Sequence, residues 1–316
     1  MKALVTGGAG FIGSTLVDRL LGEGHEVWAL DNLVTGSLDN LVDARTHGDR
    51  FHFIEADLRD TAVVDQIGAT GVEVVFHLAA QADVRVSVDR TAYDAEVNVL
   101  GSINAMDGAR AAGARKVVFA SSGGTIYGDP RPEDLPINES HPQKPLSPYG
   151  VAKMVVGHYL ASYQALHGLE FTALALANVY GPRQDPHGEA GVIAIFTGLL
   201  LEPKPCTIFG DGEQTRDFIY VDDVVDAFAR AAAAGPSDGQ LINVGTGEEV
   251  SVNRLYEVMS AAAGIGDPAV YKPARAGELE RSVLDASKAG RLLDWKPQVD
   301  LETGIGRVID WFRARA

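Results

Sequence analysis

A short apolar run, Lys2–Thr6, leads straight into Gly7-Gly8-Ala9-Gly10-Phe11-Ile12-Gly13 and then into an amphipathic stretch, Phe11–Leu21. Glycines at 7, 10 and 13 permit a tight strand-to-helix turn and a close approach to the backbone. The following helix N-terminus presents N–H groups to an anion. The spacing is Gly-x-x-Gly-x-x-Gly rather than Gly-x-Gly-x-x-Gly, but it meets the same requirement, room for a pyrophosphate. Asp31 stands eighteen residues beyond Gly13, at the end of the next strand-like run, Glu26–Leu30. A carboxylate there accepts hydrogen bonds from an adenosine ribose and repels a 2′-phosphate, so the expected cofactor is NAD rather than NADP.

The same strand–helix rhythm continues. Strands are predicted at Phe51–Glu55, Glu73–Leu78, Lys116–Ala120 and Phe171–Leu176, and helices at Tyr93–Ala112 and Tyr149–Leu166. Such alternation predicts an α/β fold with a doubly wound parallel sheet of Rossmann type. After Asn178 the pattern loosens. Tyr180–Gly191 reads as a loop, Val192–Leu201 and Asp222–Ala234 as helices, and Thr207–Phe209, Phe218–Tyr220 and Leu241–Val244 as strands. Helical signals close the chain at Ser251–Ala263, Ser287–Leu293 and Leu301–Arg313. The expected organisation is a sheet domain over 1–178, completed by about 222–245. A smaller α+β lobe from 179–221 and 246–316 sits at the carboxyl side of the sheet.

A formal charge of −16 argues against nucleic acid or an anionic membrane as partner. Cys206 is the single cysteine, which excludes an intrachain disulfide and a Cys-rich metal site and fits a cytoplasmic protein. The apolar run before Gly7 is too short for a signal peptide, and no apolar stretch reaches membrane-spanning length.

Ser147-Pro148-Tyr149-Gly150-Val151-Ala152-Lys153 carries the chemistry. On a helix Tyr149 and Lys153 share one face. A phenol with an unperturbed pKa near ~10 is mostly protonated at neutral pH, and a neighbouring ammonium favours the phenolate. The pair can therefore act as a general base on an alcohol.

Taken together, the fingerprint at 7–13, Asp57-Leu58, His77-Leu78-Ala79-Ala80-Gln81, Asn98, the Ser-rich strand end at 121–127, Tyr149/Lys153 and Arg216-Asp217-Phe218-Ile219-Tyr220-Val221-Asp222-Asp223 resemble the extended short-chain dehydrogenase/reductases. Within them the resemblance is to the NAD-dependent epimerase/dehydratase family, over nearly the whole chain. It implies that Gly7, Gly10 and Gly13 cradle the NAD pyrophosphate and that Phe11 and Ile12 cover it. Asp31, Asn32, Leu33, Thr35 and Gly36 would surround the adenosine ribose, and Asp57 and Leu58 the adenine. Leu78, Ala79, Ala80 and Gln81 would line the path to the nicotinamide, with Ala177 beside it. Asn98 would support the cofactor loop, and Lys153 would also hold the nicotinamide ribose. The family's usual strand-five hydroxyl lies four residues before the Tyr of the Tyr-Gly pair. Here that place is Gly123, and Ser122 and Thr125 are the two candidates.

The resemblance also narrows the reaction. Family dehydratases carry an Asp-Glu pair after the strand-five Thr, and decarboxylases a Glu in that loop; here glycines stand there. Reversible oxidation at C4 of a nucleotide sugar remains, which is 4-epimerisation, with UDP-glucose and UDP-galactose as the leading pair. A UDP-glucuronate or dTDP-sugar epimerase, a ketoreductase and a non-catalytic NAD sensor are the alternatives. For the nucleotide sugar the implied contacts are Asn178, Arg216 and Arg275 on the diphosphate, Glu278 on the uridine ribose, Thr207, Ile208 and Phe209 on the uracil, and Val192 nearby. Ser282, where some members keep a Tyr, would leave room for an N-acetyl group. A homodimer through helices 93–112 and 149–166 is also implied. Asp185, His187 and Glu189 read as a loop at the substrate's edge rather than a metal site, so no metal is expected. His77 reads as a packing and loop-bonding residue.

Overall fold

A computed structural model describes residues 1–186, 191–202, 204–233, 235–274 and 279–315. Alternation along the first strand sets up the two faces of the sheet. In β1 (Lys2–Thr6), Ala3 and Val5 enter one core and Leu4 the other, so both faces must be covered. Seven strands form the central sheet: β1, β2 (Glu26–Asp31), β3 (Phe51–Glu55), β4 (Val74–His77), β5 (Lys116–Ser122), β6 (Glu170–Leu176) and β11 (Gln240–Val244). Their order is β11-β6-β5-β4-β1-β2-β3, and every pairing is parallel. The order reverses between β1 and β4. That switch point opens a crevice at the carboxyl ends of the strands, where doubly wound folds bind ligands.

On one face the core gathers α1 (Phe11–Gly22), α9 (Val192–Leu201), α10 (Val221–Ala231), α11 (Val252–Ala263) and α13 (Leu301–Arg313). On the other it gathers α3 (Val63–Gly68), α6 (Gly101–Ala111) and α8 (Pro148–His167). The predicted helix over 93–112 is continuous but not uniformly α-helical. It divides into α5 (Thr91–Ala95), a π-helical turn Glu96–Leu100 and α6. A π turn inserts one residue into the helical repeat, a common device at functional sites. Here it carries the buried Asn98. Short helices α2 (Val42–Arg45), α4 (Val84–Asp89) and α7 (Gly123–Ile126) complete this half, and none was predicted.

Beyond β6 the chain builds three small sheets around the crevice. β7 (Asn178–Tyr180) pairs with β10 (Phe218–Tyr220), β9 (Thr215–Arg216) with β12 (Val250–Ser251), and β8 (Thr207–Phe209) with β13 (Val270–Lys272). Asp217, between β9 and β10, is buried. It accepts hydrogen bonds from the backbone N–H groups of Thr246, Gly247 and Leu284, joining three segments at one carboxylate. The helix α12 (Ser287–Leu293) follows the Leu284 segment.

Candidate active site

The glycine turn is built for close approach. Gly7 has φ +67, and a Cβ there would sit 2.8 Å from the backbone N of Ala79. A Cβ on Gly13 would sit 2.0 Å from the carbonyl oxygen of Gly7. Gly10 caps α1 without a side-chain hydrogen bond, and the first turn holds no acidic residue. The N–H groups at this helix end therefore face the crevice with no internal anion to satisfy them.

Asp31 ends β2 only 7% exposed. Its carboxylate accepts from the backbone N of Ala9 at 3.0 Å and of Leu33 at 2.8 Å, tying the glycine turn to the next loop. Burial raises its pKa, and the backbone N–H groups of Leu33, Ala9 and Asn32 oppose that shift. A Cβ on Gly36 would meet the same carboxylate at 2.8 Å. An ionised carboxylate offers roughly four acceptor sites, so these backbone bonds still leave capacity for a ribose. Asp57 is engaged by Arg59 and by the Asn32 amide at 3.1 Å, and Arg59 above all holds its pKa down to about 2.

From this end a cavity of about 1070 Å³ runs past the glycine turn to Ser122, Tyr149 and Lys153. Gly7, Gly10, Phe11, Ile12, Gly13, Asp31, Asn32, Thr35, Asp57, Leu58, Leu78, Ala79, Ala80 and Ala177 line it. Leu33, Gly36, Gln81 and Asn98 do not line it, and the last two are buried. Gln81 was read as lining the path; it is instead buried and works as a clamp. Its backbone N donates to Asn98 Oδ1 at 2.9 Å, and Asn98 Nδ2 donates back to the Gln81 carbonyl at 2.8 Å. Thr6, His77 and Ser102 form a second support. Ser102 Oγ donates to the Asn98 carbonyl at 2.6 Å, so at 2.8 Å it must accept from His77 Nε2. His77 Nδ1 then accepts from Thr6 Oγ1 at 2.7 Å, and Thr6 Oγ1 accepts from the N–H groups of Leu78 and Ala79. Complete burial pushes the His77 pKa down to about 3, keeping it neutral.

Ser147 caps α8, accepting from the Gly150 N–H at 3.2 Å, and Pro148 opens the helix. This start places Tyr149 at the cavity wall and Lys153, 4% exposed, one turn deeper. Lys153 Nζ donates to the Ala120 carbonyl at 2.8 Å and lies 5.6 Å from the Tyr149 ring centroid and 4.8 Å from that of Phe119. Burial lowers its pKa to about 8, against the opposing pull of Asp94.

A second, smaller cavity of about 130 Å³ adjoins the first through Ser122, Leu176 and Ala177, and takes in Thr125, Asn178, Arg216 and Ser282. Ser122 lines both; Thr125 lines only the smaller, where its Oγ1 is buried without a hydrogen-bond partner. A Cβ on Gly123 would lie 2.4 Å from Leu284 Cδ1, so a side chain at that place requires the Leu284 side chain to shift. Val192, which opens α9, and Thr207 and Phe209 on β8 line neither cavity. Arg275 and Glu278 lie outside the described residues, as do His187 and Glu189. Asp185 lines the large cavity. Among the described residues no three His, Cys, Asp or Glu side chains are grouped to hold a metal.

Three features escaped the sequence reading. Asn40 Nδ2 and the Ser37 N–H both donate to the Ala9 carbonyl, bracing the glycine turn from a loop without a motif. Arg183, at φ +71, lines the large cavity and pairs with Asp18 at 2.7 Å. Asp94, four residues before Asn98 on the same helical face, accepts from Asn98 Nδ2 at 2.9 Å; that spacing was the available signal.

The model of the NAD dependent epimerase/dehydratase family matches residues 3–245. A UDP-glucose 4-epimerase from Mycolicibacterium smegmatis is 49% identical over 317 aligned residues, covering 100% of both chains. The crystal structure of UDP-glucose 4-epimerase with UDP-glucose from Thermotoga maritima superposes with a TM-score of 0.94 at 43% identity, covering 100% of this chain and 99% of that one. The Thermus thermophilus UDP-glucose 4-epimerase complex with NAD gives a TM-score of 0.91 at 42% identity, covering 100% of both.

Proposed function

The chain belongs to the NAD dependent epimerase/dehydratase family, and from that premise we propose that it interconverts UDP-glucose and UDP-galactose by inverting C4 through a transient 4-keto sugar. The observation that carries this reading is the Tyr149–Lys153 pair at the inner end of a dinucleotide-sized cavity whose neighbouring loop has glycines, not carboxylates, at 123 and 124. NAD fits the residues present: the glycine turn excludes side chains from the pyrophosphate's place, and the Asp31 carboxylate, with acceptor capacity remaining, suits a free ribose diol. When bound, NAD supplies the acceptor, and afterwards the donor, of the C4 hydride.

In this reading Tyr149, as phenolate, removes the 4-hydroxyl proton and later returns it to the 4-oxygen, once the sugar has turned its other face to the hydride. The Lys153 ammonium stabilises that phenolate electrostatically. Ser122, on the wall shared by both cavities, hydrogen-bonds the 4-oxygen, and Thr125 reaches the same sugar from the smaller one. Asn178 and Arg216, at the smaller cavity, hold the diphosphate, a role the sequence pattern also gives Arg275, as it gives Glu278 the uridine ribose. Val192, Thr207 and Phe209 belong to the nucleotide side. The tightness belongs on the nucleotide and the slack on the sugar, because the keto sugar must turn over between the two transfers. Ser282, small and at the smaller cavity, leaves space for a 2-N-acetyl group, so UDP-GlcNAc and UDP-GalNAc are included as substrates. Residues 1–178 with 222–245 form the cofactor domain and the remainder the nucleotide-sugar lobe.

Leu100 on the π turn and Val151 and Tyr159 on α8 expose apolar surface, and these two elements pack together. This supports a homodimer through these helices. No helix among the described residues is long and apolar enough to cross a membrane, and the buried, unpaired Cys206 suits the cytoplasm. NMR of the products after incubation with UDP-galactose, UDP-GalNAc, UDP-glucuronate and dTDP-glucose, without added reductant, tests the reaction. The 4-inverted sugar is expected from the first two. A 4-keto-6-deoxy product, or no turnover with NAD retained, overturns the reading. Sedimentation at micromolar concentration tests the dimer.

A further inference from the structure

Lys153 is buried, and no ion-pair partner for it stands among the described residues. Among the described residues its ammonium makes one hydrogen bond, to the Ala120 carbonyl, and otherwise meets the rings of Phe119 and Tyr149. An isolated buried ammonium tends to shed its proton, and a neutral Lys153 cannot stabilise a phenolate. Something must hold the charge there.

The groups on elements packed against α8 narrow the choice. On α4, Asp83 pairs with Arg85, and Asp89 is exposed. Glu96 on the π turn is exposed, and Asp107 on α6 accepts from Tyr163 and pairs with Arg110. Lys116, at the far end of β5, pairs with Asp238, and Glu170 on β6 accepts from Gln164. Tyr93 on α5 lies under Arg59 and Arg90, and His77 on β4 is neutral. Asp94 on α5 remains. It is 1% exposed, and its Oδ1 accepts from Gln81 Nε2 and Asn98 Nδ2, both at 2.9 Å. Both donors are neutral amides, so its charge has no cation in hydrogen-bond contact. These amides also grip the loop. Asn98 brackets the Gln81 backbone, and the Gln81 side chain brackets that of Asp83, accepting from its N–H at 2.7 Å and donating to its carbonyl at 2.9 Å.

We propose that Asp94 is a positioning residue of the reaction, at once the buried counter-charge of Lys153 and the anchor that holds the 78–83 loop through Gln81 and Asn98. The inference rests on the role given to Tyr149 and Lys153 above. Its test needs no substrate and can fail while that role stands. Asp94→Asn keeps an oxygen for the two amides and removes only the charge. Protein labelled with ¹³C at lysine Cε, with Lys153 assigned by its loss in Lys153→Met, gives the Lys153 titration directly. The midpoint should fall by about one pH unit in Asp94→Asn, a tenfold change in proton affinity. Gln81→Met should leave the midpoint in place and reduce the NAD that copurifies. Where Asp94→Asn is insoluble, the reciprocal titration applies, because coupling between two sites is mutual. With aspartate ¹³Cγ labelling, Lys153→Met must raise the Asp94 midpoint. An unmoved midpoint in either titration, or a Gln81→Met midpoint that falls as far as that of Asp94→Asn, overturns the proposal.

Discussion

Replacing Lys153 by Met removes one positive charge at nearly constant volume, and the structure sets the size of the effect. With the ammonium 5.6 Å from the Tyr149 ring centroid and an effective dielectric of ~20, the lost attraction to a phenolate is about 3 kcal/mol. At neutral pH the phenolate population then falls on the order of 10²-fold, and kcat should fall with it. The assay is UDP-galactose turnover at pH 7 by NMR, on protein whose NAD content has been measured, so that lost cofactor is not mistaken for lost base. Recovery on alkalinisation is the stricter part. With the phenol titrating without assistance, activity of Lys153→Met should climb by about a factor of ten per pH unit above neutrality. A variant with full NAD and kcat within about threefold of the parent at pH 7, or with a flat pH profile, refutes the electrostatic argument.

Ser122→Ala should lower kcat on the order of 10²-fold with NAD retained, and Thr125→Val by much less; the reverse ranking would transfer the 4-oxygen contact to Thr125. Installing the family's usual hydroxyl by Gly123→Ser should destabilise the fold by about 1–3 kcal/mol through overpacking against Leu284. Thermal melts would show it, and Leu284→Ala should restore much of the loss. His77, held at about 3 in the fold against 6.5 ordinarily, stays neutral while the unfolded chain gains a proton. Its contribution to stability is therefore present above about 6.5 and is lost as pH falls towards 3; His77→Asn should flatten urea midpoints across that window. Lys153, at about 8 against 10.5, gives stability that rises with pH between those values, and Lys153→Met should abolish the rise.

Much of the frame was legible because it rests on local rules. Lys2–Thr6, Phe51–Glu55, Val192–Leu201 and Leu301–Arg313 occupy the predicted bounds, since apolar periodicity and glycine punctuation act within a few residues. The division of 93–112 was not legible. Its π turn carries Asn98, which brackets the Gln81 backbone seventeen positions away, a partner that no periodicity records. Gln81 outside the lining and Asn40 on the Ala9 carbonyl depend in the same way on partners remote in sequence. The glycine at 123 was visible as a departure from the family pattern, but its reason, Leu284 filling the space, required the fold.

That Leu284 contact has a mechanical corollary. Leu284 bridges in parallel to Ile137, and its backbone N–H is bonded to Asp217. The Ile137 carbonyl receives both Asp285 N–H and Asn243 Nδ2. The wall behind Ser122 is therefore stitched from four separate stretches of chain and has no seam along which to part. A sugar that presents first one face and then the other to a single phenol cannot rely on that wall to yield. In the proposed mechanism the reversal then falls to the torsions of the ligand's own glycosyl diphosphate linkage, and to the residues proposed to clasp the nucleotide while it turns.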